Sequence, residues 1–380
     1  MFLKVQTIVL FLLITVTFVM AQSAKEWNEK GKDLYKQEEY EEAIKCYDKA
    51  IELDPKYVDA WHNKGWTLSC SGEYEEAIKC YNKAIEIDPK YVDAWNNKGW
   101  TLSCLDKYEE AIKCYNKAIE LDPKHVNAWY NNGGALYSTG KYEEAIKCYD
   151  KAIEIDPKYV DAWLGKASPL LKIGKYEEAI KCYDKVIEID PESTYAWFIK
   201  GANLYYFSGK YEEAIKCYDK AIEIDPKFIE AWYNKAGILY DSGKYEEAIK
   251  CIDKAIEIEG EKAYNISFKG LLLSKLGKQE EALKYCDRAL ELDPYDLDGM
   301  ENKGLVLAEE GKYEEGLTYC DKGLELDPEN KSIMTAKGEI LYKQGKYADA
   351  IKWFDKALAI SPDYMRAKKG KEEALKSLEK

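Results

Sequence analysis

Apolar residues recur along this chain at helical spacing, and the whole pattern returns about every 34 residues. Counting each unit from three residues before its leading Trp gives ten units, starting at 24, 58, 92, 126, 160, 194, 229, 263, 297 and 331. Position 4 is Trp in the first seven units, position 8 is Gly or Ala, and position 11 is Leu. That i, i+4, i+7 stripe predicts an amphipathic first helix whose small residue admits a close neighbour. A second pattern follows, as in Tyr142, Ala145, Ile146, Tyr149, Ala152 and Ile153, and predicts a second helix. Glycines such as Gly72, Gly140, Gly174, Gly209 and Gly243 separate the two. Asp-Pro pairs, from Pro55 to Pro328, close most second helices, and Ser361-Pro362 closes the last. A helix pair buries only part of its apolar face alone, so stacking must supply the rest.

Two irregularities interrupt the array. Pro169 falls inside a predicted first helix, and unit 6 carries one extra residue near Phe207; both predict a bend or a local adjustment. Units 8 to 10 lose the Trp, and residues 363–380, with Lys368, Lys369, Lys371 and Lys376, predict a polar capping helix. Residues 1–21 differ from everything after them. Lys4 precedes an apolar stretch, Ile8 to Met20, and Val19-Met20-Ala21 fits a cleavage site. Thirteen residues are short for a membrane span. The expectation is a cleaved export signal and an exported chain, with a single-pass membrane anchor as the alternative.

These residues closely resemble the tetratricopeptide repeat family: Trp-x-x-Lys/Asn-Gly-x-x-Leu, then Ala, Tyr, Ala and Pro at matching spacing, over 24–362. The resemblance implies an all-α fold, a right-handed α-solenoid of antiparallel helix pairs. It also implies that first helices line a concave groove binding an extended peptide or protein segment.

Positions that vary more than the packing positions are the candidates for recognition. Position 6 reads Asn63, Asn97 and Asn131 in consecutive units, then Asn234 and Asn302 further on. An amide both donates and accepts, which suits a peptide backbone. The repeat array of protein O-GlcNAc transferases uses a similar asparagine ladder. The alternative is a polar residue tolerated on an exposed face. Trp66, Trp100, Tyr130, Tyr137, Phe198 and Tyr233 flank this row, either as anchors for apolar ligand side chains or as packing against the next unit. Acids at position 2, such as Asp59 and Asp93, favour a cationic segment or simply a helix N-terminus. Lysine is absent from position 5, so the family's clamp for acidic tails is not expected.

Net charge is −14 with no basic patch, which disfavours nucleic acid. His62 and His125 lie in different units without a ligand cluster, and no phosphate loop or nucleophile elbow occurs. No enzyme activity, cofactor, metal or small-molecule substrate is expected. Seven cysteines, Cys46 to Cys251, share one equivalent position and are expected to be small buried hydrophobes too far apart to bridge. Asn265 and Asn330 head Asn-x-Ser sequons, a weak signal for glycosylation. The leading reading is a non-enzymatic scaffold binding an unidentified protein or peptide. The competing one is a structural or self-assembling protein of the cell envelope, using its convex face or its ends.

Overall fold

The structure is a computed structural model that describes residues 23–379, so the expected signal segment, 1–21, lies outside the described residues. Every regular element among the described residues is a helix. The first helices are α1 (Ala24–Lys36), α3 (Val58–Cys70), α5 (Val92–Cys104), α7 (Val126–Ser138), α9 (Val160–Lys172), α11 (Thr194–Ser208), α13 (Ile229–Asp241), α15 (Ala263–Lys275), α17 (Leu297–Glu309) and α19 (Lys331–Lys343). Their partners are α2 (Tyr40–Leu53), α4 (Tyr74–Ile87), α6 (Tyr108–Leu121), α8 (Tyr142–Ile155), α10 (Tyr176–Ile189), α12 (Tyr211–Ile224), α14 (Tyr245–Glu259), α16 (Gln279–Leu292), α18 (Tyr313–Leu326) and α20 (Tyr347–Ile360). A last helix, α21, runs Met365–Leu378. The chain divides into two compact units, Met1–Ile189 and Asp190–Lys380, and each is an α-solenoid of antiparallel helix pairs.

In most pairs the small residue at position 8 receives an aromatic ring from the second helix, whereas Gly270 and Gly304 face Cys286 and Cys320. A Cβ on Gly31 would fall 2.5 Å from the Tyr47 ring; the same test gives 2.9 Å for Gly65 and Tyr81, and 2.7 Å for Gly99 and Tyr115. No real Cβ sits that close, so the ring occupies the space a side chain would need. The tyrosines and the alanines beside them are almost fully buried. Leading tryptophans lie half-buried, and from Trp61 onward each indole N–H donates to the preceding Pro carbonyl, as in Trp61 to Pro55 (3.0 Å) and Trp95 to Pro89 (3.1 Å). That bond ties the start of a first helix to the turn that delivers it.

Within each unit, successive first helices touch one another, as α1 does α3 and α17 does α19, whereas no pair of second helices makes a comparable contact. The closer-spaced row is the inner side of a curved stack, so the first helices form the inner wall of each unit.

The turns follow the sequence pattern with two departures. Gly72, Gly140 and their equivalents adopt left-handed backbone after each first helix. Glu38 (φ 63°) and Asp106 (φ 56°) hold the same conformation without being glycine. Pro169 leaves α9 continuous to Lys172, because it sits in the last turns of the helix. The extra residue of unit 6 lengthens α11 to Ser208, and Gly209 closes it directly as a left-handed cap. The last helix is less polar than expected, for Met365, Leu375 and Leu378 are exposed.

All seven equivalent cysteines are buried and free, as are Cys286 and Cys320; Cys70 and Cys104 are exposed. Burial pushes the Cys80, Cys148 and Cys182 thiols up to about 11, and Cys286 and Cys320 up to about 12. These thiols stay protonated and act as packing groups.

The glycine–ring contact has a direct test. Gly99→Ala is expected to destabilise the protein by about 1–3 kcal/mol through overpacking. Gly237→Ala, where an added Cβ meets nothing within 4 Å, should be neutral or stabilising by about 0.5–1 kcal/mol. Urea midpoints of the two variants measure this; equal effects would contradict the assigned packing.

Candidate recognition wall

The position-6 asparagines are held by the preceding repeat. Asn63 Nδ2 donates to Asn28 Oδ1 (3.0 Å), and Asn131 Nδ2 donates to Asn96 Oδ1 (3.1 Å). Asn97 Nδ2 bonds His62 Nε2 (2.9 Å), while its Oδ1 accepts from Asn96 Nδ2 (3.0 Å). His62, Asn97, Asn96 and Asn131 thus form one hydrogen-bonded row across three repeats. The partner is always position 5 of the repeat before. In the second unit Asn302 Nδ2 follows the same rule, donating to Ser267 Oγ at 3.0 Å. Asn234 faces Phe198 at that place in the preceding repeat, and it turns instead to its own Glu230 carbonyl (2.8 Å).

Position 2 makes a parallel seam. Tyr91 Oη donates to Asp59 (2.9 Å), His125 Nε2 meets Asp93 (3.1 Å), and Tyr159 Oη donates to Asn127 (3.3 Å). These acids serve as acceptors between repeats, a role that neither sequence reading had assigned them.

The aromatic candidates pack within the wall. Trp66 donates its indole N–H to Tyr35 Oη (2.7 Å) and meets Trp100 in a tilted contact with centroids 5.5 Å apart. Tyr130 meets Tyr149 and Tyr159, and Tyr137 meets Tyr142. In the second unit Phe198 lies against Tyr218 and Phe228, and Tyr233 against Tyr264 and Phe268. All six are half-buried, so each keeps some surface toward solvent.

In the first unit the structure gathers three candidates at one place. Trp100, Tyr130 and Asn131 line a cleft of about 240 Å³, together with Gly134 and the Tyr115 and Tyr149 rings. The second unit spends its inner wall on charge pairs. Glu309 is bound by Lys275 and Lys343, each at 2.5 Å, while Arg366 of the last helix grips Glu339 through two bonds (2.8 and 2.9 Å). Arg366 also reaches Glu301, 65 residues earlier, at 2.5 Å. Asp298 is pushed up to about 6, mainly by desolvation, with Glu301 adding like charge.

Sequence reasoning missed the pairing of position 5 with the next position 6, although the residues advertise it: Asn28, His62, Asn96 and Ser267 each precede an Asn by 35 residues. The sequons also change standing. Asn265 is fully buried and bonds Glu259 and Gly260, so its amide is not presented to solvent, while Asn330 is half-buried and caps α19 through its Oδ1. Among the described residues no cluster of three or more His, Cys, Asp or Glu is placed to hold a metal ion, and no helix is long and apolar enough to cross a membrane.

Models described as "Tetratricopeptide repeat" match 58–91, 92–125, 126–159, 148–181, 267–296 and 301–364, and "TPR repeat" matches 31–68. Together they cover more than half of the chain. A model of anaphase-promoting complex (cyclosome) subunit 3 matches 174–255. The chain belongs to the tetratricopeptide repeat family, and it is a scaffold for protein interaction. Similar solved structures include yeast Tom70, at 16% identity over 94% of this chain and 95% of that one (TM-score 0.47). A tetratricopeptide repeat protein from Parabacteroides merdae is 21% identical over 67% of this chain and 100% of its own (TM-score 0.48). YrrB, described as having an unusual peptide-binding site, is 28% identical over 51% of this chain and 99% of its own (TM-score 0.32). No curated protein matches the chain.

The two histidines report on the wall. Since Asn97 Nδ2 only donates, His62 Nε2 must accept, and the ring is neutral. Burial lowers the His62 pKa below 6.5, whereas the hydrogen bond to Asp93 raises that of His125. The His62 contribution to stability is therefore complete above pH 6.5 and lost as pH falls through its lowered value. The His125 contribution is complete below 6.5 and lost as pH rises through its raised value. With only two histidines in the chain, an NMR titration of the imidazole signals resolves both, and His62 is expected to titrate at the lower pH. The reverse order would contradict the seam.

Proposed function

We propose that the inner wall of α3, α5 and α7 binds an extended segment of a protein partner, and that the chain acts by holding such a segment and not by catalysis. The observation that carries this reading is the cleft beside Trp100, Tyr130 and Asn131, where amide and aromatic candidates meet on the wall. Two features support it. The asparagines are fixed by the seam before any ligand arrives, so little freedom remains to be lost on binding. Each of Asn63 and Asn131 uses one amide N–H in that seam, and its second N–H remains to address a backbone carbonyl.

The test is a random peptide library displayed on phage and selected on the full chain. Selected peptides are expected to bind the triple variant Asn63→Ala, Asn97→Ala, Asn131→Ala about tenfold or more weakly, measured well below its melting temperature. Unchanged affinity, or a library that yields no binder, would contradict the wall as the site.

We also propose that residues 1–21 direct export and are removed. Protein recovered from an extracytoplasmic fraction should then begin at Gln22; protein that keeps Met1 and stays in the cytosol would contradict it.

A further inference from the structure

Position 9 of successive first helices reads Trp66, Trp100 and then Gly134. The first two indoles are in tilted contact, with centroids 5.5 Å apart and planes at 47°. Had the series continued, a third ring would follow on Trp100. Gly134 supplies no side chain, and a Cβ built on it meets only the Tyr149 hydroxyl, at 3.8 Å. A Cβ built on the other first-unit glycines that face Tyr149, Gly133 and Gly165, would fall 2.9 and 2.7 Å from its ring, so the space at Gly134 is not a general property of glycines on this wall.

The open space is the cleft of about 240 Å³, with Trp100 and Tyr130 as walls and Asn131 one turn away. Its size decides what fits. Cofactor and small-molecule sites run from roughly 300 to 1,000 Å³, while a cavity of about 150 Å³ already holds benzene. A single aromatic side chain matches this volume and a whole cofactor does not. Polar groups on the rim suit a ring that carries an N–H or O–H. Tyr81 and Tyr115 bond the position-12 serines Ser69 (3.4 Å) and Ser103 (3.2 Å), but position 12 of the Tyr149 repeat is Tyr137. The cleft lining carries no charged side chain.

We propose that the Gly134 cleft is a specificity pocket for one Trp or Tyr side chain of the bound segment, which extends the row of ring contacts begun by Trp66 and Trp100. This rests on the wall reading above and deepens it. The segment runs along the asparagine row, and the ring enters beside Asn131, whose amide holds the adjoining backbone. A neighbouring Lys or Glu gains nothing from the pocket, because neither the lining nor the row of rings offers a counter-charge.

The experiment uses the full chain and single-substitution sets of one library-selected peptide, with the anchor residue changed to Trp, Tyr, Leu or Lys. Trp and Tyr are expected to bind about tenfold or more tightly than Lys, as one buried aromatic anchor provides. Gly134→Trp fills the slot and should remove that preference while leaving the melting temperature unchanged or raised. Gly134→Leu, a smaller plug, should give the same loss if the Trp variant folds poorly. Peptides that bind the wall with no aromatic preference, and equally well to both variants, would overturn the pocket and leave the wall reading standing. If the aromatic preference survives in Gly134→Leu, the ring lies elsewhere and the pocket is wrong. Concentration-dependent dimers abolished by Gly134→Leu would instead make a second copy of the chain the occupant, which also overturns it.

Discussion

Each time a first-helix glycine meets the ring of Tyr47, Tyr81, Tyr115 or Tyr149, two helices come closer than any side chain at that position would allow. That approach fixes the pair, and the pair fixes which residues face inward. Position 8 points at the partner helix, so positions 5, 6 and 9 are left along the inner wall. Ala236, where the partner ring is replaced by Ile252, keeps the same logic with a smaller partner and a larger contact residue. Stability in such a stack is a sum over neighbouring contacts, so each ring in its slot supports the repeats on both sides.

The wall is stitched as well as packed. In the first unit the position-6 asparagines reach back to position 5, and Tyr91, His125 and Tyr159 reach back to position 2, so these repeats are tied through side chains at two heights. A row of amides tied in this way is stiff before it meets a ligand. The same residues therefore serve cohesion and recognition, and the cost of changing one is felt in both. The second unit solves cohesion differently, with Lys275, Glu309, Lys343 and Arg366 forming charge pairs along its inner wall. Such pairs fill the surface with groups already matched to each other, which leaves the first unit as the better place for a guest.

The helices were legible because most repeats state their own boundaries: a small residue at position 8, a glycine after the first helix, Asp-Pro after the second. Local departures were legible as positions but not as outcomes. Pro169 and the extra residue near Phe207 both stood out, yet one sits where the helix is about to end and the other adds a turn residue to α11. Asparagine partners were not legible from a single repeat, since Asn63 answers to Asn28 and Asn97 to His62, one repeat away. Arg366 and Glu301 are further beyond local pattern, being 65 residues apart and joined only by the curvature of the second unit. The Gly134 cleft is a middle case. Its place in the series Trp66, Trp100, Gly134 is plain in the sequence, but only the ring distance shows that the series makes physical contact.

The central claim is that recognition takes place on the inner, first-helix wall of the first unit. Site-specific photocrosslinking tests it most directly, with the reactive group placed at Ser138, on the cleft, or at Lys147, on the second helix of the same pair. A bound segment should crosslink from position 138 and not from 147. Crosslinks that form only from 147 would put the partner on the outer helices and contradict the account.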